Sequence, residues 1–186
     1  MSSVMQSSLS YMESSLLHPT RSSRFYAARR LRLQNDYAYW AQISCSLCLI
    51  FWSLRPFFGF KAVPNIEFYA AFSSISILAM TLAQQAAGYI DQARSLEASA
   101  RKIDSLRRDV VAEVAAGNDT GPAALRTIGK RYSKILEEFP VNHTPLDYRF
   151  RLPGIVSLLV MHLRAGVMSV LVTLLVVVFP LWQLAQ

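Results

Sequence analysis

Apolar residues gather in three runs, Tyr37 to Leu54, Phe68 to Ile90 and Ala165 to Leu184, none of which contains a charged side chain. Each is close to the length of about 20 residues that a helix needs to cross a hydrocarbon core of roughly 30 Å. Within hydrocarbon the backbone has to satisfy its own hydrogen bonds, so runs of this kind are helical. No alternating pattern of strand length points to a barrel instead. The pattern predicts an all-α membrane protein with transmembrane helices at 37–54, 68–90 and 165–184.

A narrower pattern follows the second run. Leu96, Ile103 and Val110 recur every seventh residue, with Ala93, Ala100, Leu106 and Val114 beside them, on a stretch otherwise rich in Arg, Asp and Glu. A stripe this thin is a seam for another helix, from this chain or from a copy of it. The second transmembrane helix is therefore expected to continue as a soluble helix over 91–116, ending where Gly117 opens a Gly-Asn-Asp-Thr-Gly-Pro turn. Pro122 opens a further helix over 122–139, whose Leu125, Ile128, Tyr132, Ile135, Leu136 and Phe139 follow three-and-four spacing until Pro140 closes it. The hairpin thus continues into a pair of antiparallel helices, a small helical cap. Thr144, Pro145 and Asp147 fit the N-cap, N1 and N3 positions of one more helix, with Asn142 and His143 as the connector before it. Pro153 and Gly154 then interrupt the chain ahead of the last apolar run. That run is taken to begin at Ala165, so that Arg164 can reach the headgroups and Ile155 to Leu163 lie near the interface or under the cap; Trp182 marks its far end.

Composition sharpens the topology. Of the 186 residues 53% are hydrophobic and 17% charged, with a formal net charge of +7. An excess of Lys and Arg can indicate nucleic acid, but its location here follows the positive-inside rule. Arg21, Arg24, Arg29, Arg30 and Arg32 precede the first run, only Arg55 and Lys61 lie in the turn after it, and a long basic series runs from Arg94 to Arg151. The N-terminus and the cap are accordingly placed in the cytoplasm of a multi-pass protein. Residues 1–23 are Ser-rich, lack helical period and read as a mobile tail. From Arg24, the residues Phe25, Ala28 and Leu31 suit a short basic helix leaning on the inner leaflet, with lipid phosphates as its contacts.

Candidate chemistry is sparse. Cys45 and Cys48 share a helix face within the first run and read as packing residues, since a zinc site would need more ligands. His18, His143 and His162 have no metal-ligand spacing. No phosphate-binding glycine loop or nucleophile–base constellation is present, so no catalytic residue, metal, cofactor or small-molecule substrate is expected. The polar residues inside the apolar runs say more. Gln42, Ser46 and Ser53 lie along the first helix, and Ser73, Ser74, Ser76, Thr81, Gln84 and Gln85 along the second. They either line a polar path between assembled subunits or hydrogen-bond between helices of a closed bundle. Ala79, Ala83 and Ala87, with Gly88 alongside, form a ridge of small residues suited to close helix packing.

The phrase Lys130-Arg131-Tyr132-Ser133-Lys134-Ile135-Leu136, followed by Asn142-His143 and Asp147-Tyr148 beneath a transmembrane hairpin, resembles the SLATT family. These are bacterial effectors with two transmembrane helices associated with SMODS nucleotidyltransferases and SLOG domains. The likeness covers roughly 24–152, with Tyr132, Leu136, Asn142, His143, Asp147 and Tyr148 as motif positions, and leaves 153–186 as an added apolar segment. It implies a pore-forming or membrane-disrupting effector of an anti-phage conflict system in the bacterial inner membrane. It further implies a homo-oligomer in contact with membrane lipids, activated by a partner enzyme or nucleotide signal from a nucleotidyltransferase or reverse transcriptase system. The alternative reading of the residues is a membrane-anchored adaptor whose basic helices dock a protein or nucleic acid.

Overall fold

The computed structural model describes residues 11–54, 57, 66–116, 122–141, 144–149 and 155–174, and the extended regular elements among them are all helical. A π-helical turn, Glu13–Leu17, leads into α1, His18–Leu54. Then follow α2, Ile66–Ala87; α3, Tyr89–Ala115; α4, Pro122–Glu138; the short α5, Pro145–Arg149; and α6, Ile155–Thr173. The chain divides into two compact units, one of Met1–Arg29 with Asp91–Val160 and the other of Arg30–Ile90 with Met161–Gln186.

The first unit is built on the seam of α3. Ala93, Leu96, Ser99, Ala100, Ile103, Leu106 and Val110 are its buried positions, the seven-residue pattern that the sequence carries. Leu17 and Ile128 close on Ile103, Leu106 and Val110 to form the core. Met12, Val114, Leu125, Tyr132 and Ile135 pack around it. The partner of the seam is therefore this chain itself: the N-terminal helix on one side and α4 on the other. Ion pairs reinforce the register: Arg21 with Asp104 at 2.6 Å and Arg107 with Glu13 at 2.5 Å join the N-terminal segment to α3, and Lys102 with Glu138 at 2.5 Å joins α3 to α4. Half-exposed pairs of this kind fix orientation more than they add stability.

One expectation is corrected here. The stretch read as a mobile tail is helical from Tyr11 onward, and Leu17 is fully buried. The physical reason lies outside the stretch: its own sequence has little period, but the exposed apolar seam of α3 needs a cover, and tertiary burial outweighs weak local propensity.

In the second unit α2 has two distinct sides. Ser73 is buried and Ser76, Ile77, Met80, Thr81 and Gln84 are half-buried, whereas Ser74, Ile75, Leu78, Ala79, Leu82, Ala83 and Gln85 are exposed. From α1 the buried side chains include Ala41, Cys45 and Trp52. Gly166 of α6 lets the Tyr37 ring approach closely, since a Cβ at that position would sit 3.4 Å from it. Among the described residues one helical stretch, Ile66–Ala115, is long and apolar enough to cross a membrane. Only 6% of its apolar window is buried within the chain, unlike the core helix of a soluble domain.

That stretch is broken once. Gly88 adopts φ 55°, and its N–H donates to the Gln85 carbonyl at 3.2 Å. A Cβ there would meet nothing within 4 Å in this chain, and the positive φ gives Gly88 the role of a backbone turn. The expected smooth continuation of the second apolar helix into the next becomes two helices joined at this residue. At the other end of the chain, α6 has begun by Ile155 and runs through Arg164 and Ala165 without a break, so the residues ahead of the expected span and its first residues form one helix. The Arg164 side chain, Pro153, Gly154 and residues 175–186, including Trp182, lie outside the described residues.

Leu17→Ala is expected to destabilise the protein by about 2–5 kcal/mol, because it empties a fully buried core position. Denaturation of the detergent-solubilised protein measures this, and a mobile tail would give no change. Gly88→Ala is expected to cost about 1–2 kcal/mol from its left-handed backbone alone in the same assay.

Candidate functional site

The polar residues of the second unit sort into two sets. Gln84 is the centre of the first: its Nε2 donates to the Asn35 side-chain oxygen at 2.7 Å and to the Asn35 carbonyl at 3.2 Å, while its Oε1 accepts from Gln42 Nε2 at 3.0 Å. These bonds tie α1 to α2 within one chain, the interhelical role that a side-chain amide performs well away from water. Ser46, Ser53, Ser74 and Thr81 each donate to the carbonyl four residues back, at 2.8 to 2.9 Å, so their hydroxyls are satisfied whichever way the helix face turns. The second set is the face of α2 that carries Ser74, Thr81 and Gln85, at spacings of seven and four residues. Ser74 and Gln85 are exposed there, and Ala79 and Ala83 of the small-residue ridge are exposed too, with Ala87 half-buried.

Near the start of α6, His162 Nδ1 and the Tyr37 hydroxyl are 2.8 Å apart, with the rings edge to face. Cys45 and Cys48 are free thiols. Among the described residues no group of three or more His, Cys, Asp or Glu is placed to hold a metal ion.

The motif positions fall in the first unit. Tyr132 reaches from α4 to the N-terminal helix, its hydroxyl 3.2 Å from Thr20 Oγ1, and Leu136 is half-buried one turn later. Asp147 is fully buried and organises the start of α5. Its Oδ2 accepts from the Thr144 N–H at 3.0 Å and from Thr144 Oγ1 at 2.8 Å, and Thr144 Oγ1 lies 3.3 Å from the Asp147 N–H. This reciprocal pairing is a capping box, and it gives Thr144, Pro145 and Asp147 the N-cap, N1 and N3 places that their order in the sequence predicts. Tyr148 is exposed. Asn142 and His143 lie outside the described residues.

Arg24 opens the stretch read as a basic helix on the inner leaflet; it is 2% exposed and donates through Nη1 to Ser99 Oγ. Its Nε is buried without an acceptor, as is that of Arg21 one turn earlier. Burial lowers the Arg24 pKa, and the nearby Tyr132 opposes this only in part. A guanidinium does not deprotonate in practice, so the cost of burying it without a carboxylate, several kcal/mol, is borne by the fold. The signal was present in the spacing: Arg24, Ala27, Ala28 and Leu31 fall at i, i+3, i+4 and i+7, all on the buried side. Arg29 and Arg32 are the exposed members of the series.

A family model described as SMODS and SLOG-associating 2TM effector domain family 5 matches residues 6–185. The match runs past both ends of the expected 24–152 segment, so the N-terminal helix and the third apolar run fall within the family domain. No curated protein and no solved structure shows significant similarity to the chain.

Thr144→Ala removes one half of the capping box and is expected to cost about 1 kcal/mol, measured by denaturation. An unchanged stability would show that the box has no share in holding α5.

Proposed function

The chain belongs to the SMODS and SLOG-associating 2TM effector domain family 5, and from that membership we propose that it is an oligomeric effector that permeabilises the bacterial inner membrane. The observation that carries the reading is the extent of the match: 6–185 takes in the hairpin, the α3–α4 pair and the third apolar run as one effector domain. In this reading the protein is a non-enzymatic multi-pass membrane protein with its N-terminus in the cytoplasm. A nucleotidyltransferase or reverse transcriptase partner, or the nucleotide signal it makes, triggers it during phage infection.

The two polar sets then take different parts. Gln42, Gln84 and Asn35 hold the hairpin of each subunit together. Ser74, Thr81 and Gln85 line a path for ions, and the exposed Ala79 and Ala83, on a different part of the same helix, permit close approach of a neighbouring subunit. A hydroxyl bonded to its own helix can still solvate an ion through its oxygen lone pairs, so the backbone bonds of Ser74 and Thr81 are compatible with this role.

A second reading, a membrane-anchored adaptor, draws on α4, where Arg126, Lys130, Arg131 and Lys134 are all exposed. A basic surface of this kind suits an acidic protein or a nucleic acid.

Expressed in bacteria with its neighbouring genes and under a confirmed trigger, the protein is expected to collapse membrane potential and admit propidium iodide. The triple variant S74L/T81L/Q85L is expected to accumulate normally and leave the membrane tight. An adaptor would tolerate the triple variant, and intact membranes around the triggered wild type would refute permeabilisation.

A further inference from the structure

Arg24 stands out among the charged groups of the first unit. The other cations given a close ion pair there, Arg21, Arg101, Lys102 and Arg107, each have a carboxylate within 2.6 Å. Arg24 is more deeply buried than any of them, and among the described residues its bonded partner is the neutral hydroxyl of Ser99. Around it are the Ser99 hydroxyl from α3, Arg21 on its own helix, whose Nε is likewise unpartnered, and, meeting the same helix one turn away at Thr20, the Tyr132 hydroxyl from α4. The Tyr132 hydroxyl is only loosely committed, because its 3.2 Å separation from Thr20 exceeds the usual O–H···O range of about 2.5–3.0 Å. Thr20, Arg21 and Tyr132 are half-buried, so the approach to Arg24 is less closed than Arg24 itself.

We propose that Arg24, together with the hydroxyls of Ser99 and Tyr132, forms a receptor for a phosphate group within the first unit. A guanidinium edge and two hydroxyls contributed by three separate helices suit an acceptor with oxygens on several sides, which a phosphate has and a planar carboxylate lacks. The bound phosphate supplies the negative charge that the described residues do not place beside Arg24. It also links the N-terminal helix to α3 and α4 by charge-assisted bonds, so that occupancy stabilises this arrangement of the unit by mass action. The phosphate can come from a soluble ligand or from a lipid headgroup; the recognising chemistry is the same. The site goes beyond the effector reading and stands without it.

The test uses the full-length protein and melting as the readout. In zwitterionic detergent, inorganic phosphate and pyrophosphate are titrated, with chloride at matched ionic strength as the control. A melting temperature that rises with either anion, and an apparent affinity about tenfold or more weaker in R24Q, supports the site with a soluble source. In a second arm the protein is placed in phosphatidylcholine bilayers with and without phosphatidylglycerol. A rise that requires phosphatidylglycerol and disappears in R24Q supports the same site filled by a headgroup. Wild type that responds in neither arm overturns the proposal, and so does R24Q that responds as wild type does. Unliganded R24Q is expected to melt no lower than wild type, because Gln removes an uncompensated charge while keeping a donor. A large loss of stability, or failure to fold, identifies a guanidinium already satisfied by its own chain and overturns the proposal as well. Membrane permeability plays no part in these measurements, so this inference and the effector reading fail separately.

Discussion

The seam on α3 has to be covered. Ala93, Leu96, Ala100, Ile103, Leu106 and Val110 line up on one side of a helix whose other sides are charged, and left in water that stripe would cost much of what folding can gain. Two segments from opposite ends of the sequence cover it, the N-terminal helix through Leu17 and α4 through Ile128. The rest of the first unit follows from that closure. Glu13 and Arg21 are brought to Arg107 and Asp104, Thr20 is brought to Tyr132, and Arg24 is carried into the interior because it occupies the same helical face as Ala27, Ala28 and Leu31. Placing Leu17 in the core leaves the helix no register in which Arg24 can stay in solvent.

That dependence explains which parts were legible in the sequence. Helix positions set by local chemistry could be read directly: the seven-residue seam, Pro122 at the start of α4, and the Thr144-Pro145-Asp147 order that becomes a capping box. The N-terminal segment could not be read as ordered, because its Ser-rich composition holds little period and its order comes from a surface some ninety residues away. The turn at Gly88 was not legible for a related reason. A glycine beside alanines at four-residue spacing gives no sign of its backbone angle. The polar hairpin residues were legible as a group, but their pairing was not: Gln84 and Gln85 are neighbours in sequence and point to opposite duties, one bonded to Asn35 and Gln42 and the other exposed.

The polar groups of α1 and α2 can be sorted by the same accounting that applies to their backbones. In a medium without water, a side-chain amide that finds partners on the adjacent helix has its hydrogen-bonding capacity largely used, and it holds geometry rather than solvating a passing ion. Gln84 is in that position. A serine or threonine that donates to its own helix keeps its acceptor lone pairs, which is the capacity a cation requires. Ser74 and Thr81 are of this kind, and they share a face with Gln85. Ser74 is exposed and Thr81 is half-buried at the margin of the side this chain covers, whereas Gln84, whose capacity is used, lies on that covered side. The amide of Gln84 therefore fixes how α1 and α2 meet, while the hydroxyl oxygens of Ser74 and Thr81 remain able to accept a further bond.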